Sequence, residues 1–223
     1  MTSANAIAVP VVDAPAALSE LLRSATADQH QRAETRPFIA ELMGGELTLA
    51  DYVSYVAQFA HVYEALESRD VSTDPAPLDD AARLARLASI ESDLAALGAA
   101  DWRETHPALP ATAAYVARLR ELAQGRYAEY LAHHYTRYLG DLSGGQAIGA
   151  MIARHYGATP DQLAFFRFDD IEKPVIYKRE YREALDALEL TAEEREAILA
   201  EARAAFDYNA AVFDELGSRA DAA

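Results

Sequence analysis

The chain contains no cysteine. Disulfides, thiolate ligation of iron, cysteine-based zinc sites and cysteine nucleophiles are all excluded by that single absence. Positive charge is scarce as well: 20 lysines and arginines face 36 acidic residues, giving a formal charge of −16. Such a surface repels phosphate, so nucleic acid is excluded as a partner, and the charge reads as solubilising. Strand-like alternation is nearly missing, and no apolar run is long enough to span a bilayer. Residues 1–17, MTSANAIAVPVVDAPAA, lack the basic start and long apolar centre of a signal peptide. They read as a flexible tail, and the expected location is the cytoplasm.

What is present is a helical composition, 51% hydrophobic and rich in alanine and leucine. About seven helical segments are expected. One runs over 18–33 and stops before Pro37. Thr48 and Asp51 open a second in capping-box fashion, continuing to about Ser68. Others cover 77–97, with a loop over 98–110, then 111–124 and 127–156. The aromatic run FFRF at 165–168 connects to a helix after Pro174. Thr191 with Glu194 caps a last helix reaching about Leu216. The expected fold is one all-α helical domain over 18–216, with 217–223 as a C-terminal tail.

The helix over 127–156 carries Gly140, Gly144, Gly145 and Gly149 in its interior. Each glycine there costs about 1 kcal/mol relative to alanine, so the set needs a reason. Either another helix packs unusually close, or something flat that is not protein lies on bare backbone. At about 100° per residue, Arg137, Gly140, Asp141, Gly144 and Gly145 share one broad sector. Leu139, Leu142 and Gln146 fall opposite. A close helix interface seldom includes buried charge; a polar pocket over a planar ligand does. Alone, Arg137 and Asp141 at i,i+4 would be a surface pair worth a few tenths of a kcal/mol. His30 flanks an apolar stripe of Leu22, Thr26 and Ala33, with Glu34 one turn later, where a carboxylate can orient an imidazole. Lysine occurs only at Lys173 and Lys178. Lys178 and Arg182, one turn apart, could grip carboxylates, or pair with Glu180 and Glu183 instead.

The run YTRYLGDLSGGQ at 135–146 resembles the signature helix of haem oxygenases. LSELLRSATADQHQRAE at 18–34 and YKREYREALDALEL at 177–190 agree in order, and AFDYNAAVFDEL at 205–216 agrees more loosely. The resemblance implies haem sandwiched between the N-terminal helix and the glycine-bearing helix, with His30 as the axial iron ligand. It places Asp141 over the iron, organising water that delivers protons to dioxygen, with Arg137 in the same network. Gly140 and Gly144 would lie close to the haem, and Ser143 would border it. Tyr135, Lys178, Arg182 and, seven positions before His30, Arg23 would hold the propionates. The family often has lysine where Arg23 stands. Phe206 would lie on the proximal side.

The implied activity is haem oxygenase: cleavage of haem by dioxygen and external electrons to biliverdin, ferrous iron and carbon monoxide. Haem would be substrate and oxygen-activating group together. No Gly-x-Gly-x-x-Gly fingerprint follows a strand, so neither flavin nor nicotinamide is expected on the chain. Electrons would come from a ferredoxin or flavoprotein reductase, docking on a basic patch of Arg23, Lys178, Arg179 and Arg182. The alternative is a haem storage or delivery protein; it would share His30 and the propionate grip but have no use for Asp141. A related thiaminase-like enzyme would need its cysteine. A helical scaffold would not need Arg137 and Asp141 among glycines.

Overall fold

The computed structural model describes residues 16–221; part of the expected N-terminal tail and the end of the C-terminal one lie outside the described residues. These residues form helices α1 (Leu18–Ala25), α2 (Ala27–Glu34), α3 (Pro37–Gly44), α4 (Leu49–Leu66), α5 (Ala81–Leu84) and α6 (Leu87–Ala96). They continue with α7 (Trp102–Thr105), α8 (Pro110–Leu122), α9 (Tyr127–Tyr156), α10 (Pro174–Asp186) and α11 (Ala192–Ala220). No strand occurs among the described residues. The all-α expectation holds, and no described helix is long and apolar enough to cross a membrane.

Helix α4 is the centre. It is buried on almost every face, from Tyr52 to Leu66, as a helix apolar all round must be. Its start is fixed by a reciprocal cap: the Asp51 amide donates to Thr48 Oγ1 at 3.3 Å, and the Thr48 amide donates to Asp51 Oδ2 at 2.8 Å. Thr191 and Glu194 cap α11 in the same way. Helices α9 and α11 pack lengthwise on each other, and α2, α3 and α8 also lie against α11. The three longest helices thereby surround a site that α2 closes from one side.

Five features differ from the sequence expectation. The first helix is broken at Thr26, whose hydroxyl donates back to Leu22 O at 2.8 Å and competes with continuation of the helix. Pro37 does not merely end a helix but starts α3, sitting at its first position where a missing N–H costs nothing. The stretch 77–97 divides into a 3₁₀ turn (Leu78–Asp80), α5 and α6, and the expected loop over 98–110 contains α7. The last helix runs on past Leu216 to Ala220.

His133 and His134 lie inside this core. His133 Nε2 is 2.8 Å from Glu201 Oε1, and Arg118 holds both oxygens of the same carboxylate. His134 Nδ1 meets the Tyr181 hydroxyl at 2.8 Å, with the ring stacked on Tyr181. Neither histidine is available to a ligand in the cleft. Burial pushes His134 down to about 3 from its ordinary 6.5. The unfolded chain therefore takes a proton that the folded chain refuses. This contribution to stability is complete above about pH 6.5 and drains away as pH falls toward the folded value of about 3. Urea denaturation at about pH 7 and about pH 4.5 should show an acid-induced loss smaller by about 2 kcal/mol in His134→Phe than in the parent. Equal losses would contradict this.

Candidate functional site

A cleft of about 620 Å³ opens between α2 and α9, with α10 and α11 at its edges, a size suited to a large organic ligand. Two walls matter. On α2, His30 is half exposed; its Nδ1 lies 3.3 Å from Glu34 Oε2, and its ring meets Phe206 of α11 edge-on at 5.6 Å between centroids. Glu34 thus engages Nδ1, one of the two ring nitrogens.

The facing wall is α9, and its four glycines divide into two pairs. A Cβ built on Gly149 would lie 3.2 Å from Phe166, and one on Gly145 3.6 Å from the same ring. Gly149 is explained by close packing, of the Phe166 ring rather than of another helix, whereas Gly145 only faces that ring at ordinary contact distance. A Cβ on Gly140 or Gly144 would meet nothing within 4 Å. That pair presents bare backbone to the cleft, the second of the two reasons the sequence offers. Leu139, placed by periodicity on the far side, in fact lines the cleft: it stands about 100° around the helix from Gly140, near enough for its long side chain to reach the border.

Above the bare backbone sits a buried polar cluster. Arg137 Nη2 donates to Asp141 Oδ1 at 3.1 Å, and the Tyr63 hydroxyl donates to Asp141 Oδ2. Arg137 Nε and Nη2 reach Tyr63 Oη at 3.2 and 3.1 Å, and Nη1 donates to Asn209 Oδ1 at 3.1 Å. The guanidinium also lies over the Phe59 ring, 4.7 Å from its centroid. This is no surface pair: the Arg137 and Asp141 side chains are 11% and 15% exposed. Burial pushes the Asp141 carboxyl above the usual range, while Arg137 and Tyr63 pull it back. Burial disfavours the Arg137 charge, but Tyr63 and Asp141 outweigh it and hold the guanidinium charged. Tyr63 and Asn209 arrive from α4 and α11, and the local sequence around each gives no sign of the role.

At the rim, Arg23, Tyr135 and Arg182 line the cleft together. Burial raises the Tyr135 hydroxyl, against the pull of Arg182 and Arg23. None of Arg23, Lys178 and Arg182 is ion-paired among the described residues; Glu183 instead engages Arg179 at 3.5 Å. Lys178 is the one expected contact that does not line the cleft. Its Nζ donates to Ser143 Oγ at 3.0 Å, tying α10 to α9 at the edge. Burial and the neighbouring Arg182 push the Lys178 ammonium below its ordinary range. The remaining histidines are elsewhere: His61 Nε2, for example, contacts His106 O at 3.0 Å. No group of acidic and histidine side chains suited to a bare metal ion occurs among the described residues.

A side-chain-poor helical wall, an opposed imidazole and a rim of unpaired cations define a class: helical proteins that take a flat, anionic, metal-bearing ligand. A sequence model of the Heme oxygenase family matches residues 16–215. Heme oxygenase of Takifugu rubripes is 39% identical over 204 residues, covering 89% of this chain and 74% of the relative. Heme oxygenase 1 of Nostoc sp. is 35% identical over 203 residues, covering 89% and 85%. The crystal structure of heme oxygenase-1 from the cyanobacterium Synechocystis sp., in complex with heme, superposes with a TM-score of 0.85 at 32% identity, covering 92% of this chain and 94% of that one. The chain belongs to the haem oxygenase family.

Gly144 and Gly149 should respond oppositely to alanine. In the ligand-free chain, Gly144→Ala should gain about 1 kcal/mol of helix stability while weakening hemin binding. Gly149→Ala should lose about 1 kcal/mol because Phe166 must give way. Urea denaturation and hemin titration of both variants check this, and stability shifts of the same sign would contradict it.

Proposed function

We propose that the cleft between α2 and α9 is where this haem oxygenase binds and opens its substrate, with His30 Nε2 as the axial ligand and Asp141 as the group that controls protons on the opposite side. The observation that carries this reading is the bare backbone at Gly140 and Gly144, opposed by His30 and surmounted by a buried carboxylate. Bound haem supplies a redox-active iron that activates dioxygen beside the porphyrin carbon to be attacked. The products are biliverdin, ferrous iron and carbon monoxide.

Each residue then has a defined task. Glu34 engages His30 Nδ1 and so orients the ring for ligation through Nε2. Gly140 and Gly144 let the porphyrin plane approach the helix. Asp141 accepts from Arg137 and Tyr63, which fix the carboxylate at the cleft wall and leave it lone pairs with which to accept from water entering the cleft. Burial raises its proton affinity above that of an ordinary carboxylate, the direction that suits a group passing protons. Arg23, Arg182 and Tyr135 receive the propionates, and Lys178 reaches the same edge once it leaves Ser143. Bidentate guanidinium–carboxylate contacts would fix the in-plane rotation of the ring. A storage protein would need His30 and the rim, but the Asp141–Arg137–Tyr63 cluster would serve it no purpose.

The electron donor belongs to the same reading. An acidic ferredoxin or flavoprotein reductase is repelled by a chain of −16 overall, so docking falls to Arg23, Lys178, Arg179 and Arg182 beside the cleft, where steering by local charge is strongest.

Three outcomes are expected. His30→Ala loses normal axial coordination, and added imidazole partly restores the spectrum; unchanged coordination would exclude His30. Asp141→Ala binds haem but diverts oxygen chemistry to peroxidase-like products, whereas undiminished biliverdin yield would remove Asp141 from the reaction. Charge reversal at Lys178 and Arg179 slows reduction by the donor and flattens its salt dependence; an unaltered rate and slope would exclude this docking face.

A further inference from the structure

Asp93 of α6 lies outside the cleft and takes no part in the chemistry above. It is fully buried, and both oxygens are engaged. Oδ1 accepts from the Ala164 amide at 2.7 Å and Oδ2 from the Phe165 amide at 2.8 Å. These amides open the 3₁₀ turn Ala164–Phe166. Phe166, at the end of that turn, is seated in the notch that Gly145 and Gly149 leave in α9. One side of Phe166 is wall to the cleft; another lines a separate cavity of about 500 Å³ bordered by Gln146, Ala150 and Ala153. Phe166 is the partition between the two spaces. The turn closes on itself through Phe166 N to Leu163 O at 3.3 Å and Arg167 N to Ala164 O at 3.0 Å, and the two shorter charge-assisted bonds to Asp93 anchor it to α6.

We propose that Asp93 is a positioning residue for haem binding: its carboxylate holds the Ala164–Phe166 turn so that Phe166 stays against Gly145 and Gly149 and the cleft keeps its depth. This rests on the reading of the cleft as the haem site. A buried carboxylate is costly unless its hydrogen bonds are made, which argues for a task that a neutral acceptor performs less well. Burial pushes Asp93 up to about 6, against the pull of the two amides and Arg167. The ionisable groups facing it are Tyr52 of α4, whose hydroxyl donates to Gln162 O at 3.3 Å, and Arg167, just after the turn. Protonation replaces one of the two charged acceptor oxygens by a hydroxyl and loosens the turn.

The first test is an NMR titration of the ligand-free wild-type chain. The Ala164 and Phe165 amides and the Phe166 ring should shift together with a midpoint of about 6, and the common transition should vanish in Asp93→Asn. Amides that titrate while the Phe166 ring stays still would overturn the proposal. The second test is hemin affinity of Asp93→Asn, Phe166→Ala and the double variant. Each single change should weaken binding about tenfold, and the double should be no weaker than the worse single. Losses that multiply would overturn the link. The titration needs no haem, so it judges the positioning claim even if the cleft's assignment to haem fails.

Discussion

The structure depends on one edge of α9 remaining without side chains while the same helix carries a charged pair into the protein interior. Gly140 and Gly144 keep the wall bare; Arg137 and Asp141 give that wall its chemistry. Glycines weaken a helix, and buried ions weaken a fold. Both are tolerated because α9 is long and lies lengthwise on α11, with α3, α4 and α8 packed around it.

The ion pair persists because it is not merely a pair. Removing one partner of a buried charge pair typically costs about 3–5 kcal/mol, and here the surroundings supply the remaining contacts: the Tyr63 hydroxyl, the Asn209 side chain and the Phe59 ring. The cluster draws on α4, α9 and α11, so correct packing of the three longest helices is a condition for its geometry. That is preorganisation in the physical sense: the dipoles are set by folding before any substrate arrives. The rim follows the opposite logic: among the described residues Arg23, Lys178 and Arg182 form no ion pair, beside a half-exposed imidazole.

Features written within a few residues were legible in the sequence. The Thr48–Asp51 and Thr191–Glu194 caps and the span of α9 stand where spacing put them. The residues expected to meet at the site do converge on one cleft, Lys178 excepted, because the family resemblance covers nearly the whole chain. Helix α3 was not legible, since Pro37 reads equally as a stop and as a first helical residue. Tyr63 and Asn209 lie 78 and 72 residues from their partners on α9, and only tertiary packing brings them there. Periodicity favoured a polar pocket over a planar ligand for the glycine sector; Gly140 and Gly144 do face open space, but Gly149 answers to Phe166, which only tertiary packing reveals. Asp93 is one acidic residue among 36, distinguished only by the turn it meets in three dimensions.

The most direct test of the central claim is stoichiometric addition of hemin to the purified wild-type chain, followed by absorbance and electron paramagnetic resonance. The account predicts saturation at one equivalent, with the spectrum of a histidine-ligated haem. A spectrum that stays that of free hemin, with no saturation, would contradict it.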